Sequence, residues 1–336
     1  MDDFHLCPLS EYYKRFLLPV SYSVTFVAGL GLNVVLLWDV CSRQPQQHRN
    51  GSGTVVYVAN LAVADLLYVL TLPILIVSYA MGNVWYFGDI VCKIVRFLFI
   101  VNLHCSMTLL ACVSVYRFLG VRFPVSGLRL RTKRAAVWTS GSVWVVVTAE
   151  VLPTLAYSHT GLIDNQTVCF EMTDPRQFNL YFPYGIFLCV VGFFLPFLLT
   201  VCCYCSMIRT LCRPSRASSP LGAANTRNKS LRTLVLVCVF FVLCFVPYHV
   251  VRTVYLFVRV YMVDDCHELN VVVIALKIWQ PLISLNCCAN PLLYFLGSGR
   301  YRKKLRTWLC PRNTRVLPAA VCVVVVDAGP KLSCPA

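Results

Sequence analysis

The chain has 336 residues, of which 58% are apolar and only 13% are charged. A water-soluble domain carries about 25% charged residues, so much of this surface is not built to face water. A formal net charge of +16 would suit a nucleic-acid binder, but the basic residues sit in short polar gaps between long apolar runs. A membrane protein concentrates such residues on its cytoplasmic side, and no nucleic-acid partner is expected. Nineteen cysteines raise the question of a disulfide framework or a zinc site. Most lie inside apolar runs (Cys105, Cys112, Cys202, Cys203, Cys205, Cys238, Cys244, Cys287, Cys288), where cysteine acts as a small hydrophobe. No CxxC pair stands near a second one at zinc spacing.

In chain order, residues 1–15 read as a polar segment without the basic stretch, short apolar core and cleavage site of a signal peptide. The first hydrophobic run is therefore expected to direct insertion itself. Seven apolar stretches follow at 16–40, 55–80, 90–118, 136–157, 179–208, 233–258 and 269–296. Each is long enough to cross about 30 Å of hydrocarbon as a helix. Membrane strands need only about ten alternating residues, and these runs neither alternate nor stop there. The expected fold is all-α: one seven-transmembrane helix bundle spanning 16–298. The connections after spans one, three, five and seven carry Arg43 and Arg49, then Arg122 to Arg134, then Arg209 to Arg232, then Arg300 to Arg306, whereas the opposite ones carry Asp89, Asp164, Glu171, Asp174, Asp264, Asp265 and Glu268. This asymmetry places the N-terminus outside and the C-terminus in the cytoplasm. The sequon at Asn165 falls in an outer loop, open to glycosylation. Residues 299–310 alternate basic and apolar side chains and read as a short amphipathic eighth helix lying on membrane lipids. Cys310 is a palmitoylation candidate, and 311–336 form a cytoplasmic tail whose run Val321 to Val326 has no physical account.

Ionisable groups inside a bilayer are costly and each needs a reason. Asp65 lies in mid-span two, with Asn33, Ser106, Asn286 and Asn290 at comparable depth. Two readings stand: a polar staple between helices, or a sodium site built from hard oxygen ligands. No other cofactor or metal is expected. At the outer halves, Arg96, Phe99, Ile100 and Leu103 share one helix face by their i, i+3, i+4, i+7 spacing. Span six carries Tyr248, His249, Arg252, Tyr255 and Arg259, and span seven carries Lys277 and Gln280 one turn apart. These cations either snorkel to headgroups and pair with Asp264, Asp265 or Glu268, or they form a pocket for an anion whose oxygens match the arginine fork.

The motifs resemble the rhodopsin class of G protein-coupled receptors. They are Asn33 after Gly31-Leu32, Leu61 to Asp65, Trp144, Pro196 with Tyr204, Phe241-x-x-Cys244-x-x-Pro247, and Asn290-Pro291-x-x-Tyr294, all in order from about residue 15 to 310. The resemblance implies a two-state bundle hinged at its prolines, with Arg117, Tyr204, Phe241, Phe245, Pro247, Asn290, Pro291 and Tyr294 carrying activation and coupling to a heterotrimeric G protein. Where that class shows Asp-Arg-Tyr, this chain has Tyr116-Arg117-Phe118, so the acid beside the arginine is missing. It also implies a disulfide between Cys92 and Cys169, and Cys7 with Cys266 would tie the N-terminal segment to the third outer loop, all four on the oxidising side.

Lys93 to Phe99, Cys244 to Thr253, Asn165 to Glu171 and Tyr181 to Gly185 are most similar to the purinergic nucleotide receptors, and within them to the uridine-nucleotide branch. That resemblance implies that Arg96, His249, Arg252 and Lys277 meet phosphates; the expected ligand set also includes Phe99, Ile100, His104, Tyr248 and Gln280. Gln280 replaces a basic residue usual in that family, and Ile100 an aromatic. The expected function is a plasma-membrane receptor, not an enzyme, for an extracellular uridine or adenine di- or triphosphate, signalling through the phospholipase C class of G proteins. A receptor of the same build for a dicarboxylate or an oxidised lipid is the alternative. A seven-span transporter or intramembrane enzyme is remote: no internal repeat is present, and His104 and His249 have no nucleophile beside them.

Overall fold

The computed structural model describes residues 14–42, 53–123, 127, 130–163, 165–212, 221–262 and 266–297. The expected segments around Cys7 and from 298 onward, including Cys310, lie outside these residues, as do Asp264, Asp265 and the side chain of Phe241. Seven helices among the described residues are long and apolar enough to cross a membrane: Arg15–Cys41, Thr54–Ala80, Gly88–Arg122, Lys133–Tyr157, Phe178–Thr210, Val242–Tyr261 and Cys266–Leu292. They are called spans one to seven, and their ends fall within a few residues of those expected. Span six differs most, because its helix begins far earlier, at Leu221, and runs unbroken through Pro247 to Tyr261.

Spans two, four, five and seven are interrupted, and prolines account for most of the breaks. Proline has no N–H to return to the carbonyl four residues before it. Before Pro73, span two stops at Val69 and restarts at Leu72, and the hydroxyl and N–H of Thr71 both donate to the Tyr68 carbonyl, at 2.7 and 2.8 Å. Ahead of Pro196, span five widens into a π-helical turn, Val190–Phe194. Span seven breaks at Leu285, between Cys266–Ser284 and Asn286–Gly297.

Span three is the central helix and packs against spans two, four and five. Its side chains from Ile100 to Met107 are all buried. Large apolar residues such as Val27, Trp38, Trp138 and Val145 are exposed on the outside of the bundle. In water such a surface would aggregate; against lipid it is the required one.

The all-α bundle carries one short strand pair in a loop. The loop between spans four and five folds back as an antiparallel hairpin, β1 Thr160–Ile163 with β2 Gln166–Cys169, in the register Thr160 opposite Cys169. Asn165 occupies its turn at φ 58°, a left-handed conformation that asparagine tolerates. The hairpin is fastened to the bundle at three points. The N–H of Thr160 donates to Asp89 at 2.8 Å, the N–H of Trp85 donates to the Thr167 carbonyl at 2.8 Å, and Cys92 is disulfide-bonded to Cys169 as expected. Cys266 is also disulfide-bonded. We call the end bearing this hairpin the outer end.

The last fastening is covalent, so it should dominate the other two. Cys169→Ala is expected to cut the amount of folded protein reaching the cell surface several-fold, since a native disulfide contributes about 2–4 kcal/mol. Surface immunolabelling of intact cells checks this; a wild-type surface level would show that the hairpin holds without the bond.

Candidate ligand site

One turn beyond Cys92 on span three, Arg96 donates from Nη2 to the Cys169 carbonyl at 3.1 Å. The strand end is thereby held against span three, and Glu171, two residues on, is delivered into the mouth of the bundle. Its Oε1 forms an ion pair with Lys277, accepts the Tyr79 hydroxyl at 2.9 Å and lies 3.8 Å from Arg96 Nη1. Gln280 donates to the same oxygen at 3.4 Å and accepts from Lys277 at 3.2 Å. Burial pushes the Glu171 carboxyl upward, but the charges of Lys277 and Arg96 outweigh it and hold the group well below the usual carboxylate range. The salt bridge anticipated at the outer mouth therefore forms, with an acid from the second outer loop.

Arg252 is different. It is 2% exposed, donates from Nη2 to the Tyr181 hydroxyl at 3.3 Å, and has no partner for Nε. Among the described residues no carboxylate pairs with it. Burying an unpaired charge is strongly unfavourable, and among the described residues the Tyr181 hydroxyl is the group that hydrogen-bonds this guanidinium. Arg252 faces a small inner cavity of about 10 Å³ with Arg96, Phe99, Ile100, Tyr248 and Gln280. Above that opens a vestibule of about 170 Å³, where Arg96, Glu171 and Lys277 meet an apolar wall that includes Phe170, Tyr255 and Leu276.

Seven of the nine residues expected to bind ligand thus line one of the two cavities: Arg96, Phe99, Ile100, Tyr248, Arg252, Lys277 and Gln280. Two do not. His104 lies about 100° around span three from Leu103, and its Nδ1 pairs with Glu150 at 2.7 Å, against Gly192 of the π turn, where any Cβ would strike the imidazole. His249 stacks on Phe193 at 4.0 Å between ring centres, and neither ring nitrogen has a partner. Glu171, Tyr79 and Tyr181 were not singled out from sequence. Only Glu171 carried a signal, its position two residues after a bonded cysteine.

Deeper in the bundle, Asp65 is fully buried. It accepts from Asn102 at 2.8 Å and from Asn290 at 3.1 Å. Asn102 was not anticipated. Among the described residues the side-chain oxygens of Ser106, Asn286 and Asn290 have no hydrogen-bond partner, and hard oxygens of this kind together with a carboxylate suit a small monovalent cation. Toward the inner end, Tyr204 and Phe245 are buried in the core, and Tyr294 packs beside Leu36 and Val58.

The profile of the 7 transmembrane receptor (rhodopsin family) matches residues 32–294. Purinoceptor 6 of Rattus norvegicus is 41% identical over 299 residues, covering 89% of this chain and 90% of its own length. Purinoceptor 3 of Gallus gallus is 38% identical over 301 residues, with coverages of 89% and 90%. Purinoceptor 4 of Homo sapiens is 38% identical over 328 residues, with coverages of 98% and 88%. This chain belongs to the rhodopsin family of seven-transmembrane receptors, within its purinoceptor group. The receptor is a multi-pass membrane protein, and not an enzyme.

Removing the carboxylate charge exposes what it offsets in the receptor. Glu171→Gln leaves Arg96 and Lys277 without their counter-ion and is expected to lower stability by about 1–2 kcal/mol, discounted because Glu171 is a quarter exposed. Added pyrophosphate should restore the loss. Thermal unfolding of purified receptor with and without pyrophosphate checks this; an unchanged midpoint without pyrophosphate, or no recovery with it, would contradict the pairing.

Proposed function

We propose that this chain is a plasma-membrane receptor for an extracellular nucleotide, with its N-terminus outside, its C-terminus in the cytoplasm, and signalling through a heterotrimeric G protein. The observation that carries the ligand reading is Arg252, a buried guanidinium without a counter-ion among the described residues, close to a second arginine and a lysine shared by one carboxylate. Such a set of donors favours a ligand with several anionic oxygens, and a phosphate chain presents them at the spacing that arginine forks accept. The apolar and aromatic vestibule above suits a flat base. Because the inner cavity holds no more than one water, entry of the phosphates requires Glu171 to yield part of its hold on Lys277 and Arg96. We further propose that Asp65, Ser106, Asn286 and Asn290 hold a sodium ion. Asp65→Asn should abolish any effect of sodium on agonist affinity, and sodium sensitivity kept in that variant would oppose the assignment.

A partly desolvated cation contributes about 1.5–3 kcal/mol through charge-assisted hydrogen bonds, which is about one to two decades in potency. Arg252→Ala should therefore cost at least about tenfold in nucleotide potency at wild-type surface level. Arg252→Lys should recover only part, since an ammonium lacks the fork. Gln280→Arg adds a charge near the site and should raise potency for ligands with more phosphates. Dose–response curves with surface level measured in the same cells decide this. Unchanged potency in both Arg96→Ala and Arg252→Ala would remove the anionic-pocket reading.

A further inference from the structure

The inner end of span three carries a contact set that the ligand reading does not use. Tyr116 is 7% exposed and its ring packs edge-on against Tyr57 of span two, 6.2 Å between centres. Its hydroxyl accepts the N–H of Gly53, where the first inner connection enters span two, at 2.9 Å. The same hydroxyl donates to the carbonyl of Arg131, where the second inner connection enters span four, at 3.3 Å. Arg131 then lies back over the Tyr116 ring, its guanidinium carbon 4.8 Å from the ring centre. It fits there because residue 120 is glycine: a Cβ at Gly120 would stand 2.7 Å from that guanidinium. One side chain thus joins three helices and two connections. The adjacent Arg117, by contrast, makes no hydrogen bond or ion pair among the described residues.

We propose that Tyr116 is a positioning residue that clamps both inner connections to span three and so restrains signalling in the absence of ligand. An acid at this place would be too short to reach Gly53 and Arg131 together. A tyrosine does so with one neutral hydroxyl, and it offers Arg131 an aromatic face. The restraint is then made of neutral hydrogen bonds and a cation–π contact, with Arg117 standing outside it. Movement of the inner ends of spans two or four away from span three must break these contacts first. The restraint on signalling rests on the proposed coupling to a G protein; the clamp itself does not.

Two readouts separate the clamp from the coupling. Tyr116→Phe keeps the ring and loses both hydrogen bonds. In purified full-length receptor it should raise amide hydrogen exchange at residues 53–57 and 130–133 about three- to tenfold, and raise ligand-independent nucleotide exchange on the G protein by a similar factor with agonist affinity unchanged. Gly120→Ala, which displaces only the far end of the Arg131 side chain, should raise ligand-independent exchange by a smaller factor. Unchanged hydrogen exchange in Tyr116→Phe would overturn the clamp. Faster hydrogen exchange with flat or reduced ligand-independent signalling, in a receptor that agonist still activates, would overturn its role as a restraint. If agonist drives no exchange even in the wild type, the coupling reading fails, and the hydrogen-exchange result alone decides the clamp.

Discussion

A charge held away from water must find a counter-charge or a dipole, and the outer half of this receptor is organised by that requirement. Three cations project inward from spans three, six and seven, and among the described residues Glu171 is the carboxylate that pairs with two of them. Glu171 reaches Lys277 and Arg96 because the disulfide fixes Cys169 to Cys92 and Arg96 holds the Cys169 carbonyl. Shortening or loosening that path would leave the acid outside the bundle. Covalent bond, strand end and ion pair form one sequence of constraints, and Arg252 stays outside it. Among the described residues, Glu171 pairs with Lys277 and Arg96, whereas Arg252, lining the same inner cavity, hydrogen-bonds the Tyr181 hydroxyl.

The same accounting of polar groups explains the irregular backbone. Inside lipid every carbonyl needs a donor, so a proline is tolerated where local structure absorbs the loss. Before Pro73 the hydroxyl and N–H of Thr71 both close onto the Tyr68 carbonyl, and span five opens into a π turn before Pro196. The π turn brings Gly192 beside His104, which is the reason that imidazole sits between spans three, four and five, on Glu150. The break in span seven lies next to Asn286 and one turn before Asn290, which donates to the buried Asp65.

The seven spans were legible because twenty or more apolar residues in a row have few other uses, and their ends were placed by charged residues that cannot enter hydrocarbon. Arg96, Phe99 and Ile100 were legible from helical spacing, and Arg252, Lys277 and Gln280 as polar side chains in the outer halves of spans six and seven. His104 was misplaced because one residue is 100° of helix, enough to turn a side chain from the mouth to the neighbouring span. The hairpin was missed because strands of four residues, Thr160–Ile163 and Gln166–Cys169, carry too little pattern to stand out. Glu171 read as an ordinary loop acid, since its pairing depends on where the disulfide brings it, which no local pattern encodes. Tyr79 reaches it from a helix that restarts at Leu72, a break visible in sequence only as Pro73. Tyr116 read only as a missing acid; its reach to Gly53 and Arg131 exists once three helices are in place.

The central claim is that Arg252, Arg96 and Lys277 recognise a phosphate chain. Equilibrium binding of a nucleoside diphosphate and of its parent nucleoside to the purified receptor tests it most directly, because the two ligands share the base and sugar and differ only in the anion. The account predicts saturable binding of the diphosphate and at least about tenfold weaker binding of the nucleoside, the loss of one charge-assisted contact or more. Equal affinity for the two would contradict it, since the arginines and the lysine would then contribute nothing to recognition.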